Sequence, residues 1–382
     1  MLPPLPGTES AGRLQLLARL DGAQVMGELR CAGGEAGEAW RAIIALHEEL
    51  RAHAQGTRAT APGAAGLDGL GRKLFALLFT GPVRKLYEKA RRARSVELVF
   101  SSLVPWIADK PWELMRDPRR GFVARGKVRF SRSTPGDVPA VPPAPRRGAM
   151  RVLLACPQPR GEARLSWEKE LRAIEEGFAP LEERGLMRLT LLRPASLSTL
   201  RAALRSSRYD VIHFAGHGGW DSARDGGYLL LDGTAGNLGE GQRVAPAALV
   251  RLLRGRGLRL LVLNACESGR GSRRGSATEF NRGVAPALLA AGLPAVLANQ
   301  YPVFDRPAAA FAQALYTALG HGDSIVDAVR SARLSLARES GAGDPSWAVP
   351  VLYARDPKQR LCARARSARK RASPVDPRAA PR

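Results

Sequence analysis

The sequence predicts an α/β protein whose mostly parallel sheet has about six strands, preceded by a smaller α+β part. After residue 149, short continuous apolar runs alternate with stretches of helical periodicity. Strands of that kind are buried on both faces by the helices that connect them. Before residue 134 the alternation of apolar runs and helical stretches is less regular. The segment TPGDVPAVPPAPRR lies between the two parts, and its prolines exclude a helix or a central strand.

The elements of the N-terminal part follow from local patterns. Apolar stretches predict a strand pair within 13–32, and helical spacing predicts helices at 39–54 and at 67–93, the second interrupted near Gly81 and Pro82. Residues 96–100 alternate as a strand, and the basic stretch 121–131 favours an edge strand or a hairpin.

The second part has a more regular order. Strands are predicted at 151–156, 187–192, 210–215, 258–263, 294–298 and 347–353, helices at 167–181, 197–204, 246–253, 279–291, 306–319 and 324–338, and a small hairpin near 228–231. The predicted organisation is a disordered start (1–12), the α+β part (13–133), a Pro-rich linker or loop (134–148), the core (149–355) and a basic disordered tail (356–382).

Composition limits the function classes. The 382 residues carry a formal net charge of +24, but arginine is scattered through every segment, so binding of nucleic acid is expected to be at most secondary. No apolar run reaches the roughly 18 residues of a membrane span, and the start lacks a signal-peptide pattern, so a cytoplasmic location is expected. Four widely spaced cysteines favour neither a structural metal site nor a disulfide framework.

Two strand ends carry the candidate chemistry. DVIHFAGHGG (210–219) leads a buried strand into His217, and LLVLNACESG (260–269) leads another into Cys266. Ligands gather at the carboxyl ends of parallel strands, so neighbouring strands would bring the two side chains together. A nearby imidazole raises the thiolate fraction of a cysteine and later protonates the leaving amine. Backbone N–H groups there, such as those of Gly218 and Cys266, would stabilise an oxyanion.

Other residues of these types have simpler interpretations. Cys156, after the first core strand, is expected to fill the core. His213 lies within its strand and is expected to pack in the core or to make a supporting hydrogen bond.

The combination of HFAGHG with NACESG resembles the CHAT family of bacterial caspase-like proteins. His217 lies 49 residues before Cys266, close to the spacing of about 50 in caspases, although Asn264 and Glu267 replace the flanking residues of the caspase pentapeptide. The similarity extends over roughly 67–355. It includes LFTGPVRKLYEKA (78–90), KPWELMRDP (110–118), NQYPVFD (299–305), ALYTALGHGDSIVDAVRSAR (314–333) and DPSWAVPVLYA (344–354).

The resemblance implies a caspase-like three-layer sandwich and a cysteine endopeptidase, in bacterial defence or regulated proteolysis, that needs no metal or organic cofactor. It implies His217 as the catalytic histidine, Cys266 as the nucleophile and Gly218 as an oxyanion donor. The expected partner is a protein substrate. Because no 34-residue repeat is present, any sensor or activator is expected to be a separate protein encoded nearby, or the short N-terminal region of this chain.

The sequence gives less information about the substrate pocket. A pocket for a basic side chain needs an acid, and Asp305 and Glu267 are candidates, although either carboxylate can instead be solvated or cap a turn. Trp112 and Glu113 are expected to anchor the N-terminal part on the sheet. Two alternatives to the peptidase stay open: a catalytically silent interaction module of the same fold, and a nucleic-acid-associated protein acting through its basic surface.

Overall fold

The computed structural model describes residues 13–20, 23–30, 63–79, 81–90, 96–102, 110–134, 144–159, 167–221, 226–233, 241–265, 277–300, 305–341 and 343–363. The helix expected at 39–54 and the tail beyond residue 363 lie outside this part. Among the described helices, none is both long and apolar enough to cross a membrane.

The elements alternate as expected. The strands are β1 (Arg13–Leu20), β2 (Ala23–Arg30), β3 (Val96–Ser102), β4 (Arg116–Asp117), β5 (Gly121–Phe122), β6 (Val128–Arg132), β7 (Met150–Ala155), β8 (Met187–Leu192), β9 (Val211–Asp221), β10 (Gly226–Asp232), β11 (Gly241–Val244), β12 (Leu260–Ala265), β13 (Ala295–Asn299) and β14 (Pro350–Ala354). The α-helices are α1 (Gly63–Leu78), α2 (Gly81–Ala90), α3 (Trp167–Glu183), α4 (Leu197–Ser206), α5 (Pro246–Leu253), α6 (Ala277–Ala290), α7 (Asp305–Gly320) and α8 (Ile325–Ser340).

The six expected core strands lie side by side in the order β8, β7, β9, β12, β13 and β14. The first five are parallel, and β14 runs antiparallel to β13. Parallel pairing requires crossover connections, which the helices between these strands supply. The predicted α/β class with a mostly parallel sheet is therefore confirmed.

Alternate residues of each strand face opposite layers, which produces three layers. In β7, Val152 and Leu154 belong to one apolar cluster with α1, α3, α7 and α8, whereas Leu153 and Ala155 belong to the other with α4, α5 and α6. The continuous apolar run of a central strand is thus explained by helices on both of its faces.

The N-terminal part extends the same sheet. β6 pairs with β14, then β3 pairs with β6, β1 with β3 and β2 with β1. The described strands of this sheet number twelve, so it is wider than the core alone. The expectation of an edge strand at 121–131 was wrong, because β6 has a partner on each side. Sequence patterning within β6 does not reveal those partners, since pairing is a long-range property.

The packed chain continues past the expected boundary at residue 355. Residues Ser324 and Arg360 form one isolated bridge and Arg146 and Cys362 another, and Leu361 and Cys362 are buried. Burial raises the pKa of the Cys362 thiol to about 11. The expected tail from residue 356 therefore begins too early. Two apolar residues in an Arg-rich stretch have no periodicity from which their burial could be predicted.

Candidate functional site

The two chemistry-bearing strands are neighbours in the sheet. β9 pairs in parallel with β12, with Ala215 opposite Asn264 and Gly216 opposite Ala265. His217 is the residue after Gly216, and Cys266 is the residue after Ala265. Cys266 and Glu267 lie outside the described residues, and Asp305 begins α7 but its side chain also lies outside them. The expected adjacency of the two strands is confirmed, while the pairing of the two side chains stays a prediction.

His217 lies within a strand rather than after one. β9 continues to Asp221, and beyond the core its second half pairs antiparallel with β10, with His217 opposite Leu230 and Gly218 opposite Leu229. The His217 residue is only 7% exposed. The expected end of the strand at residue 215 was wrong, because the Gly-rich segment finds a partner strand that local patterning does not show. That pairing fixes the backbone that carries the imidazole.

Two of the flanking glycines are required by close contacts within the chain. A Cβ at Gly216 would lie 2.7 Å from Cγ of Pro157, and a Cβ at Gly219 would lie 2.7 Å from Oη of Tyr228. Real Cβ atoms essentially never approach so closely. These two glycines therefore have a packing role within the chain beside His217. Pro157 thus lies close to Gly216, one residue before His217, and Tyr228 lies close to Gly219, two residues after it.

The loop that carries Pro157 is held by a buried carboxylate. Asp232, which is 4% exposed, accepts hydrogen bonds from the backbone N–H groups of Gln158 and Ala195, each at 2.7 Å. One side chain thus joins the loop after β7, the segment before α4 and the end of β10. Sequence reasoning missed Asp232, because a single Asp at a strand end has no local signal that distinguishes it from a solvated residue.

His213 lies below His217 on the same face of β9, since alternate residues share a face. It is 2% exposed, and its Nδ1 lies 3.1 Å from Oη of Tyr316, on α7. Burial lowers the pKa of His213 to about 4 and raises the pKa of Tyr316. Both are therefore neutral at neutral pH. The expectation that His213 packs in the core and makes a hydrogen bond is confirmed.

A cavity opens beside the carboxyl ends of β12 and β13. Asn299 Nδ2 donates a hydrogen bond of 2.7 Å to Asn264 Oδ1, which joins these two strand ends. The cavity has a volume of about 30 Å³. Its described lining is His213, Val262, Leu263, Asn264, Leu297, Asn299, Phe311, Ala312, Leu315, Leu336, Ser346 and Pro350. Asn264 is two residues before Cys266, so the cavity adjoins the candidate site; we name it the strand-end cavity.

The CHAT domain model matches residues 68–360, which is more than half of the chain. The chain belongs to the CHAT family. The matched range agrees with the extent of 67–355 inferred from the motifs, and it includes His217, Cys266 and the described lining residues of the strand-end cavity.

Solved structures similar to this CHAT protein include two crystal structures of the Saccharomyces cerevisiae separase–securin complex. Each matched chain is 16% identical with a TM-score of 0.37, and the match covers 71% of this chain. The chain spans only 16% and 17% of the two chains that it matches. A comparison with curated proteins finds no relative.

The CHAT segment KPWELMRDP contains a buried ionic anchor. Trp112 and Glu113 are 0% and 1% exposed, and both oxygens of Glu113 accept hydrogen bonds from Arg132, whose Nε lies 3.1 Å from Oε1. Arg333 of α8 lies 3.7 Å from the same oxygen. Arg132 Nη2 also donates to Gln300 Oε1 at 3.3 Å, directly after β13. The prediction that Trp112 and Glu113 anchor the N-terminal part on the sheet is confirmed.

A second cysteine lies at a strand end but has a different environment. Cys156 follows β7, is 5% exposed and belongs to the apolar core cluster. The prediction that it fills the core is therefore confirmed. It also provides a matched comparison for Cys266, because β7 and β12 lie on opposite sides of β9.

Proposed function

We propose that this CHAT protein is a cysteine endopeptidase that cleaves a protein partner through His217 and Cys266. The observation that carries the proposal is the register of β9 and β12. Ala265 lies opposite Gly216, so the two chemistry-bearing residues come next along neighbouring strands. Strands in a sheet lie about 4.8 Å apart, which is within the reach of a Cys–His pair. Both residues are present in the motifs HFAGHG and NACESG.

The proposed reaction uses one base and one nucleophile. His217 takes the proton of the Cys266 thiol, and the thiolate attacks the carbonyl carbon of the scissile peptide bond. The N–H groups of Gly218 and Cys266 stabilise the oxyanion of the tetrahedral intermediate. The imidazolium then protonates the leaving amine, which breaks the C–N bond and leaves a thioester. Water, deprotonated by His217, hydrolyses the thioester and restores the thiol.

The described surroundings support a fixed histidine. The second half of β9 is paired with β10, Pro157 packs against Gly216, and Asp232 holds the loop that carries Pro157. A fixed base needs less reorganisation in the transition state, which is the basis of catalysis by positioning. We place this cleavage in bacterial defence or regulated proteolysis, with a sensor or activator supplied by another protein, as the family resemblance implies.

The test is cleavage of partner proteins. The purified protein is incubated with the products of neighbouring genes, singly and together, and new protein termini are mapped by mass spectrometry. The same mixtures are repeated with Cys266→Ala, His217→Ala and Cys156→Ala. We expect the parent and Cys156→Ala to produce the same new termini, and the other two variants to produce none.

Two results would contradict the proposal. Persistent cleavage by Cys266→Ala would exclude this nucleophile. No new terminus from the parent in any mixture would favour the silent interaction module, in which the CHAT fold is kept for binding alone.

A further inference from the structure

We propose that the strand-end cavity receives the side chain of the substrate residue on the acyl side of the scissile bond, the P1 residue, and that it selects an uncharged, unbranched side chain. This inference rests on the proposed function, because it assigns substrate chemistry to the site that contains Cys266.

The cavity is in the right place for that side chain. Asn264 lines it and is two residues before Cys266, and two residues of chain span at most about 7 Å. That distance is roughly the reach of a long unbranched side chain from a backbone held at Cys266. Burial increases in the same direction: Asn264, Asn299 and Ser346 are half-buried, whereas His213 and Leu315 are buried. The cavity therefore runs from the strand ends inward, between β12, β13 and α7.

The described lining is uncharged. Its walls are mostly apolar and its polar groups are Asn264, Asn299, Ser346 and His213; Asp, Glu, Lys and Arg do not occur among the described lining residues. Burial lowers the pKa of His213 to about 4, so this histidine adds no charge at neutral pH. Among the described lining residues, a charged side chain would find no counter-ion to compensate for the water that it loses, which is strongly unfavourable. An uncharged side chain avoids that cost.

The inner end of the cavity is polar but has an unused hydrogen-bonding atom. Nδ1 of His213 faces Tyr316, which does not line the cavity, and within the described part of the chain Nε2 of His213 has no hydrogen-bond partner. A buried nitrogen without a partner costs about 1–3 kcal/mol. A P1 amide carries a donor and an acceptor, so it can approach either tautomer, directly or through one water.

The size of the cavity favours an unbranched side chain. A volume of about 30 Å³ holds roughly two water molecules. Such a small space has room for about two heavy-atom groups in line, such as the last two carbons of norleucine, and leaves no room for a branch beside them. Burial of each methylene contributes about 0.8 kcal/mol.

This assignment competes directly with a pocket for a basic side chain. Asp305 and Glu267 were the candidate acids, and a carboxylate from either of them would instead favour P1 lysine or arginine. The two assignments therefore predict opposite orders of reactivity for probes that differ only at P1.

The experiment uses peptide acyloxymethyl ketones that share one sequence and carry norleucine, glutamine, alanine, valine, aspartate, lysine or arginine at P1. Each probe is added to the full chain in the mixture that gives cleavage in the partner experiment. The rate of modification is read from intact mass and assigned to Cys266 by peptide mapping. We expect norleucine and glutamine to react fastest, and each charged side chain to react at least about tenfold more slowly.

A pair of variants on α7 tests the cavity itself. Ala312 lines the cavity and is 4% exposed, whereas Ala314, on the same helix, is half-buried and does not line it. Ala312→Leu should reduce the rate with the norleucine probe about tenfold or more and leave the rate with the alanine probe nearly unchanged. Ala314→Leu, the matched control, should leave the order of the probes as it is in the parent.

The outcomes separate this inference from the proposed function. Fastest reaction with lysine, arginine or aspartate would overturn the uncharged pocket and leave the endopeptidase intact. Equal rates for all probes, or an unchanged norleucine rate in Ala312→Leu, would also overturn it. Partner cleavage without Cys266, or no modification of Cys266 by any probe, would overturn the proposed function and the pocket with it.

Discussion

Ala265 lies opposite Gly216 in the parallel pairing of β12 with β9. This register determines the positions from which the two strands continue. Cys266 is the next residue after Ala265, and His217 is the next residue after Gly216. A slip of one residue would turn the alternate face of β12 toward the α7 layer and change which residue of β12 lies opposite Gly216. The candidate dyad is thus a property of strand register, and it can be perturbed through the backbone as well as through its own side chains.

The first prediction concerns the reactivity of Cys266. A free cysteine has a pKa near 8.5, so at pH 6.5 only about 1% is thiolate, and each unit by which an imidazole lowers that pKa raises the fraction roughly tenfold. The rate of alkylation of Cys266 by iodoacetamide at pH 6.5 should therefore fall about tenfold in His217→Ala. Mapping of the alkylated peptides distinguishes Cys266 from the buried Cys156 and Cys362. Equal rates in parent and variant would argue against the pair.

The second prediction concerns the contact that positions His217. Gly216→Ala places a Cβ 2.7 Å from Cγ of Pro157, so the strand or the loop must shift. We expect partner cleavage to fall at least tenfold, since small displacements of catalytic groups are costly. Pro157→Ala removes Cγ, and the double variant should recover part of the activity, which a double-mutant cycle measures.

Gly126→Ala is the control for that series. A Cβ at Gly126 would lie 3.5 Å from the nearest carbonyl oxygens, which is ordinary contact, and its φ of −82° suits any residue. Its activity should match that of the parent. If Pro157→Ala gave no recovery, the effect of Gly216→Ala would have to arise elsewhere, for example from Phe214, whose Cζ would lie 3.1 Å away.

Much of the core could be predicted because its signals are local. Six apolar runs that alternate with helical stretches are sufficient to predict the order of strands and helices along the chain, and the motifs HFAGHG and NACESG begin on β9 and β12, which are neighbours in the sheet. The extension of β9 past Gly216, the interior position of β6 and the burial of Leu361 were not predictable in that way. Each depends on a partner far away in the chain, and short segments carry no record of distant pairing.

The candidate site shows the same division. His217 and Cys266 are visible as reactive residue types beside glycines. Asp232 and the pair Asn264–Asn299 act only through tertiary contacts, and their residue types are common in loops. The motif NAC, with Asn264 two residues before the cysteine, was the available signal for the cavity lining.

The third prediction concerns the C-terminal boundary. A chain shortened to end at residue 355 loses Leu361 and Cys362, which are 0% and 3% exposed, whereas a chain that ends at residue 363 keeps them. Loss of a buried leucine side chain alone costs about 2–5 kcal/mol. Urea unfolding should therefore show a clear loss of stability for the first chain and little change for the second.

The chain that ends at residue 363, compared with the full chain, also tests the nucleic-acid alternative. Residues 364–382 contain seven Lys or Arg and one Asp. Any binding of DNA that weakens with salt should be lost in the chain that ends at residue 363, since phosphate contacts release counter-ions. Unchanged salt-dependent binding would mean that the DNA-binding surface lies on the folded part of the chain.

The fourth prediction is a pH dependence of stability from His213. Its pKa is about 4 in the folded protein and about 6.5 in an unfolded chain, so the unfolded state binds the proton first as the pH falls. The stabilising contribution is complete above about pH 6.5 and is lost as the pH falls toward 4. Between pH 7 and pH 5 this loss is about 2 kcal/mol.

A variant without the titrating group isolates that contribution. His213→Asn keeps a hydrogen-bonding group near Oη of Tyr316 but cannot be protonated in this range. The free energy of unfolding of the parent should fall by about 2 kcal/mol more than that of His213→Asn between pH 7 and pH 5. The same pH dependence in both proteins would mean that the pKa of His213 does not differ between the folded and the unfolded state.

The fifth prediction concerns the buried anchor. Glu113 is the carboxylate between Arg132 and Arg333, and the side chains of all three residues are at most 2% exposed. Burial lowers the pKa of Arg333 to about 10, so its guanidinium group stays charged at neutral pH. Glu113→Gln leaves two buried like charges without their counter-charge, and removal of one partner from such a group costs about 3–5 kcal/mol. Urea unfolding at pH 7 measures this loss.

An exposed pair supplies the comparison for Glu113→Gln. Arg72 Nε lies 2.6 Å from Asp68 Oδ2 on α1, but the Arg72 side chain is 48% exposed. Arg72→Gln should change stability by less than about 1 kcal/mol, because solvent screens the pair.

Since Arg132 also donates to Gln300 directly after β13, Glu113→Gln should lower partner cleavage even at temperatures where the variant stays folded. Full activity in the folded variant would mean that the anchor contributes to stability but not to cleavage.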